Sequence, residues 1–152
     1  MPDLLQVSVE RTVPASPQDV FALLADPRRH REIDGSGTLR ETVDGPPRLS
    51  RGARFGMRMQ LGAPYSMTNT VVEFEEGRRI AWQPRPTNAV AALVIGGRIW
   101  RYELEPVDGG TLVRETWDIR GERFPLPLLA ARAATRRAMT RTLERLEERL
   151  AA

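Results

Sequence analysis

Two stretches of the chain bring together residue types that could do chemistry. The first is Arg28-Arg29-His30-Arg31-Glu32-Ile33-Asp34-Gly35-Ser36-Gly37, which sets a histidine, an aspartate and a serine close together. His30 is the single histidine of the chain, and histidine has the ordinary pKa best suited to proton transfer near neutrality. A Ser–His–Asp hydrolase is not expected. Such triads are assembled in space on a rigid scaffold, and the chain has no Gly-x-Ser-x-Gly elbow. Asp34-Gly35-Ser36-Gly37 reads instead as a turn closing a short helix. His30 keeps two readings: a structural or surface histidine, or a general acid/base.

The second stretch lies in two segments of alternating pattern. In Arg98–Glu105, Arg98, Trp100, Tyr102 and Leu104 share the more apolar face. In Thr111–Arg120 that face is Val113, Glu115, Trp117 and Ile119, which places a carboxylate among apolar side chains. A carboxylate drawn out of water must either hold its proton more tightly or find a cationic or hydrogen-bonding neighbour. Arg98 and Tyr102, on the adjacent segment, could supply one. Glu115 either pairs with an arginine near the rim of a sheet, or is one of a few polar groups that orient a ligand in an apolar pocket.

These residues need elements to hold them. Leu4–Val13 alternates as a half-buried strand and ends at Pro14. Ser16-Pro17-Gln18-Asp19 is a helix start, with a capping serine, proline in the first turn and an acid at the third position. Asp26-Pro27 repeats the signal for a second short helix that ends at Gly35 and Gly37. Leu39–Val43 and the Phe55-Met57-Met59-Leu61 row read as strands. Hairpins are expected at Glu76-Gly77, with Thr70, Val72, Phe74, Ile80 and Trp82 inward, and at Pro106–Gly110. Leu128, Ala131, Thr135, Met139, Leu143, Leu146 and Leu150 mark one long amphipathic C-terminal helix. On it Arg137, Arg141, Arg145 and Arg149 recur every four residues, and Glu144, Glu147 and Glu148 suggest a solvated face laced with ion pairs. Gln83–Gly97 is apolar between prolines and glycines, and reads as a strand or short helix near a cavity entrance, with a lid as the alternative.

The order is strand, two short helices, about six antiparallel strands, then the long helix: an α+β architecture whose one buried sheet face is covered by that helix. The 152 residues suit a single domain spanning 1–152. Cysteine is absent, which excludes disulfides, thiolate metal sites and a cysteine nucleophile. One histidine excludes multi-histidine metal sites, and neither a metal nor a cofactor is expected. All 23 basic residues counted as Lys or Arg are arginine, so the pI reflects arginine chemistry acting on a net charge of +3. They are dispersed among acids, so nucleic-acid binding is not expected. No apolar run is long enough for a membrane span and no signal peptide is evident, so a cytoplasmic location without stable membrane insertion is expected.

Several strings resemble the polyketide cyclase/dehydrase-like branch of the START/Bet v 1-like (SRPBCC) superfamily. They are Val9–Phe21, Ala25-Asp26-Pro27, Val71–Glu75 with Arg79–Trp82, Trp100–Pro106 and Gly109–Asp118. The resemblance implies a helix-grip fold, a curved antiparallel sheet around the C-terminal helix, with an apolar cavity open at one end. It implies a hydrophobic small molecule, lipid- or polyketide-like, as the partner. It also puts the His30 segment near that cavity.

Binding would draw on burial of ligand surface at about 25 cal/mol per Å², against Phe55, Met57, Met59, Phe74, Trp82, Trp100, Tyr102 and Trp117, with Arg98 at hand. A plain core stripe is the competing reading of that row. The rival function is a cyclase or dehydratase, with His30 or Glu115 as general acid/base and Tyr102 or Arg98 polarising a carbonyl. A third is an adaptor whose cavity is filled by side chains. A homodimer is compatible with any of them.

Overall fold

The computed structural model describes residues 3–151. Strand β1 (Gln6–Val13) leads to helix α1 (Pro17–Leu24), where the Ser16 hydroxyl caps the amide of Asp19. Asp26 then accepts from the amide of Arg28 and starts a 3-10 turn (Pro27–Arg29) that runs into the short helix α2 (His30–Ile33). Both capping expectations hold.

Six further strands follow: β2 (Leu39–Asp44), β3 (Arg54–Leu61), β4 (Ala63–Glu75), β5 (Arg79–Pro86), β6 (Ile99–Val107) and β7 (Gly110–Asp118). They form one antiparallel sheet in the order β1-β7-β6-β5-β4-β3-β2. The C-terminal segment begins as a 3-10 stretch (Leu126–Ala131), the proline-rich part of the run, and becomes helix α4 only at Arg132–Leu150. Met139, Thr142, Leu143 and Leu146 turn its buried side to the sheet. The curved sheet gripping α4 is the α+β helix-grip arrangement.

Strand β4 departs from simple alternation. The register with β5 shifts between Val71 and Glu73, so Val72 is an extra residue in the ladder. Before the shift Asn69 and Val71 are buried; after it Phe74 packs edge-on to Phe21, with ring centroids 5.3 Å apart. The expected inner positions Thr70 and Val72 are therefore only half-buried, and the adjacent Asn69 takes the interior. One added residue reverses the face of everything before it.

Arg137, Arg141, Arg145 and Arg149 of α4 are exposed as expected, but three of them bond to the turn after α2 and to α2 itself, and not to glutamates of their own helix. Arg141 Nε donates to the carbonyl of Gly35 at 2.8 Å, Arg145 donates to the carbonyl of Asp34, and Arg149 meets Glu32 at 3.6 Å. They clamp the turn between α2 and β2 onto the helix. On the other side Arg132 and Arg136 donate to the carbonyls of Gln6 and Ser8, at 3.0 and 3.1 Å, along the free edge of β1. An open strand edge is thereby covered by side chains instead of a neighbouring strand. Gly35 is required at this joint. A Cβ there would lie 2.2 Å from the carbonyl oxygen of Ala138, and the Gly35 amide donates to Thr142 Oγ1 at 2.9 Å.

The segment 83–97 is split. Gln83–Pro86 completes β5, and Ala89–Ala92 forms the short helix α3, capped by Asn88. Val90 in α3 and Leu93 just after it are not buried, at 74% and 68% exposed.

Candidate functional site

Between α4 and the inner faces of β2–β7 lies a cavity of about 240 Å³. Ile33, Leu39, Met57, Met59, Met67, Trp82 and Trp100 form its apolar wall, with Ala138 and Met139 from α4 opposite. The exposed Ser36 and Tyr65 mark its open side. Beside it Phe21, Leu23 and Leu24 of α1 form a packed core with Phe55 and Val113 of the sheet.

His30, Asn69, Tyr102, Glu115 and Thr142 bring polar groups to this wall. α2 aims the His30 ring against Trp82, stacked with centroids 4.7 Å apart, and Phe55 meets the ring edge-on at 5.4 Å. His30 Nε2 lies 2.7 Å from the carbonyl oxygen of Leu24, which can only accept, so Nε2 carries the proton and Nδ1 holds a lone pair. Burial pushes the His30 pKa below its ordinary value, against the opposing pull of the Leu24 carbonyl and Asp26.

Glu115 is 3% exposed, and Tyr102 Oη donates to its Oε2 at 2.9 Å. Burial raises its pKa to about 8; the Tyr102 hydrogen bond offsets part of that rise and the negative charge of Asp34 adds to it. Burial thus favours the carboxylic acid form at neutral pH. Tyr102 is itself raised well above the ordinary phenol value, by burial first and the neighbouring Glu115 second.

Arg98 does not reach Glu115. Its Nε donates to Glu122 Oε1 at 2.8 Å, and Glu122 Oε2 also accepts from the amides of Gly96 and Gly97, both at 3.1 Å. Of the two partners foreseen for Glu115, Tyr102 takes the place. Asp34 and Ser36 bond to each other at 2.6 Å and to the amides of their own turn, and His30 is directed elsewhere, so no Ser–His–Asp relay forms.

Of the expected ligand-contacting residues, Met57, Met59, Trp82, Arg98, Trp100 and Tyr102 line the cavity. Phe55 supports the wall from behind, Phe74 packs on Phe21, and Trp117 joins Val7, Ile119 and Met139 in a separate cluster. These three lie outside the lining. Both His30 and Glu115 lie within it. Asn69 was not foreseen; the signal was an asparagine, a poor strand former, inside a β-branched run, which hides a position the bulge turns inward. Among the described residues, no group of three or more His, Cys, Asp or Glu side chains is placed to hold a metal ion. Nor is any helix long and apolar enough to cross a membrane.

The family described as polyketide cyclase / dehydrase and lipid transport matches residues 5–151. The chain belongs to that family. An uncharacterised protein of Mycobacterium tuberculosis is 38% identical over 119 residues, covering 77% of this chain and 48% of the relative. The chain thus spans about half the length of the curated relatives it matches. A Chromobacterium violaceum structure aligns over 96% of both chains with a TM-score of 0.72 at 16% identity. A protein of the dynemicin biosynthetic locus aligns over 99% of this chain and 48% of its own, with a TM-score of 0.67 at 18% identity. The Aha1 dimer of Colwellia psychrerythraea aligns over 95% of each chain, with a TM-score of 0.64 at 16% identity. At such identities the likeness establishes the fold alone.

Proposed function

We propose that this chain binds a compact hydrophobic small molecule, lipid- or polyketide-like, in the cavity between the sheet and α4. The observation that carries the reading is the wall itself: methionines and tryptophans enclosing unfilled space, with a few buried polar groups facing in. Pockets of that make-up are the usual form of a small-molecule site, and about 240 Å³ lies just below the ~300–1,000 Å³ common for drug-sized ligands. Met57, Met59 and Met67 give the wall unbranched, polarizable side chains that adapt to an irregular guest. Native mass spectrometry of freshly purified protein tests this directly. A co-purifying small molecule is expected on the wild type and absent from Met59→Trp, whose added ring would occupy the half-buried wall position. Retention of the same adduct in a folded Met59→Trp variant would place the ligand elsewhere.

A second reading draws on the pairing of a neutral imidazole and a neutral carboxylic acid in one cavity. His30 Nδ1 could take a proton and Glu115 could give one, as a cyclase or dehydratase step on a polyketide-like substrate requires. Turnover that survives in both His30→Ala and Glu115→Gln would remove these residues from any such role.

A further inference from the structure

We infer that the cavity selects a neutral ligand carrying both a hydrogen-bond-accepting oxygen and a hydroxyl donor, and that it disfavours carboxylates. This rests on the reading of the cavity as a ligand site and adds the chemistry of the guest.

Among the described residues, three buried side-chain atoms have no hydrogen-bond partner in the protein: His30 Nδ1, Asn69 Nδ2 and Glu115 Oε1. All three residues line this one cavity. Buried polar atoms are rarely left unpaired, and a cluster of them in one place calls for a partner from outside the chain. Their chemical senses follow from their other bonds. His30 Nε2 donates to the Leu24 carbonyl, so Nδ1 accepts. The Asn69 amide nitrogen can only donate. Glu115 Oε2 already accepts from Tyr102, so the proton that burial keeps on this group sits on Oε1, which donates. These three atoms thus offer two donors and one acceptor. A carbonyl oxygen has two lone pairs for the donors, and a hydroxyl supplies the proton that His30 lacks.

The charges in the lining point the same way. Arg98, its one arginine, is held by Glu122. Asp34 contributes a negative charge whose oxygens are already engaged by Ser36 and the amide of Leu39. A ligand carboxylate would meet that charge without a free cation to offset it, in a desolvated site where the mismatch is costly. An ammonium group would leave the Asn69 donor unmet, and pairing with Glu115 would require that buried acid to give up its proton.

Calorimetric titration of the full chain with matched two-ring probes tests the inference. The probes are 2-methylnaphthalene, 2-acetonaphthone, 6-hydroxy-2-acetonaphthone, 2-naphthoate and 2-naphthylmethylammonium. The hydroxyketone is expected to bind at least tenfold more tightly than methylnaphthalene and than naphthoate. Asn69→Leu should reduce affinity for both ketones about tenfold while leaving methylnaphthalene unchanged. Glu115→Gln, which keeps a donor facing the cavity, should retain ketone affinity. Naphthoate or the ammonium probe binding as tightly as the hydroxyketone would overturn the selectivity while leaving the binding site standing. Loss of ketone affinity in a folded Glu115→Gln variant would show that Glu115 does not act as a neutral donor, and would overturn it too. Failure of every probe, methylnaphthalene included, would count against the ligand site as well.

Discussion

The two faces of strand β7 carry carboxylates three residues apart that have opposite fates. On the outer face Asp118 accepts from Arg120 at 2.8 and 3.0 Å, from Gln6 at 3.3 Å and from Arg101 at 3.4 Å. Burial alone would raise its pKa, but these donors outweigh burial and bring it down to about 2. On the inner face Glu115 has Tyr102 and nothing cationic, and it rises to about 8. Both residues are buried. Burial pushes both upward, and more strongly for Glu115; only Asp118 has donors enough to outweigh it. The outer face is a closed ladder, with Glu73 also held by Arg101 at 2.6 and 2.9 Å. The inner face is left open at Oε1.

The comparison can be broken most severely at the joint that keeps the inner face hollow. Gly35→Ala puts a methyl group where the carbonyl of Ala138 already lies, 2.2 Å away, in backbone that cannot yield as a side-chain tip would. A loss of about 3 kcal/mol is expected, with the turn lifted from α4, and urea denaturation would read it. A change below about 0.5 kcal/mol would show that the turn is not braced there.

Glu115→Gln sharpens the contrast with the opposite sign. The unfolded carboxyl ionises near its ordinary 4.5, whereas the folded group keeps its proton to about pH 8. Between those values unfolding releases a proton, so wild-type stability falls as pH climbs through the window and levels off above it. The variant removes that dependence. It should match the wild type near pH 4 and already exceed it by roughly 2–3 kcal/mol at pH 6.5, as seen in melting curves across the range. A pH-independent difference would sink the assignment. The other titratable groups near Glu115 are Tyr102 on β6, Asp34 in the turn after α2 and His30 on α2. Its neighbour on β1 is Val9, and α4 brings Ala138, Met139 and Thr142 to the cavity.

Arg101→Leu probes the outer face and gives the smallest effect. Glu73 and Asp118 lose a shared donor, at a cost of about 1–2 kcal/mol near pH 7. Asp118 has a depressed pKa, so its contribution is present above the unfolded value of 3.8 and fades as pH falls toward 2. The wild-type advantage should therefore shrink in acid, the reverse of the Glu115 pattern. Paired denaturation curves at pH 7 and pH 3 decide it.

Much of this was legible from local pattern. Alternation in Arg98–Glu105 and Thr111–Arg120 correctly assigned their inner faces, Glu115 included, because both strands pair in unbroken register through Tyr102↔Glu115. The caps at Ser16 and Asp26 depend on neighbouring residues alone. Asn69 was hidden because a bulge at Val72 is a property of two paired strands, invisible in either one. The partner of Arg98 was misplaced because Glu122 reaches it from a loop beyond the next strand.

The amino-acid order by itself determined the elements, their sequence along the chain and the presence of a carboxylate on an apolar face, since spacing and capping act over a few residues. Only the tertiary structure decided that burial favours the neutral form of this carboxylate, that His30 turns its lone pair toward a cavity and Asn69 joins it, and that the exposed α4 arginines brace a turn instead of pairing along their own helix. Each of those outcomes depends on what lies across space from the group, and the desolvation and hydrogen bonds that set its charge come from chain segments far away in sequence.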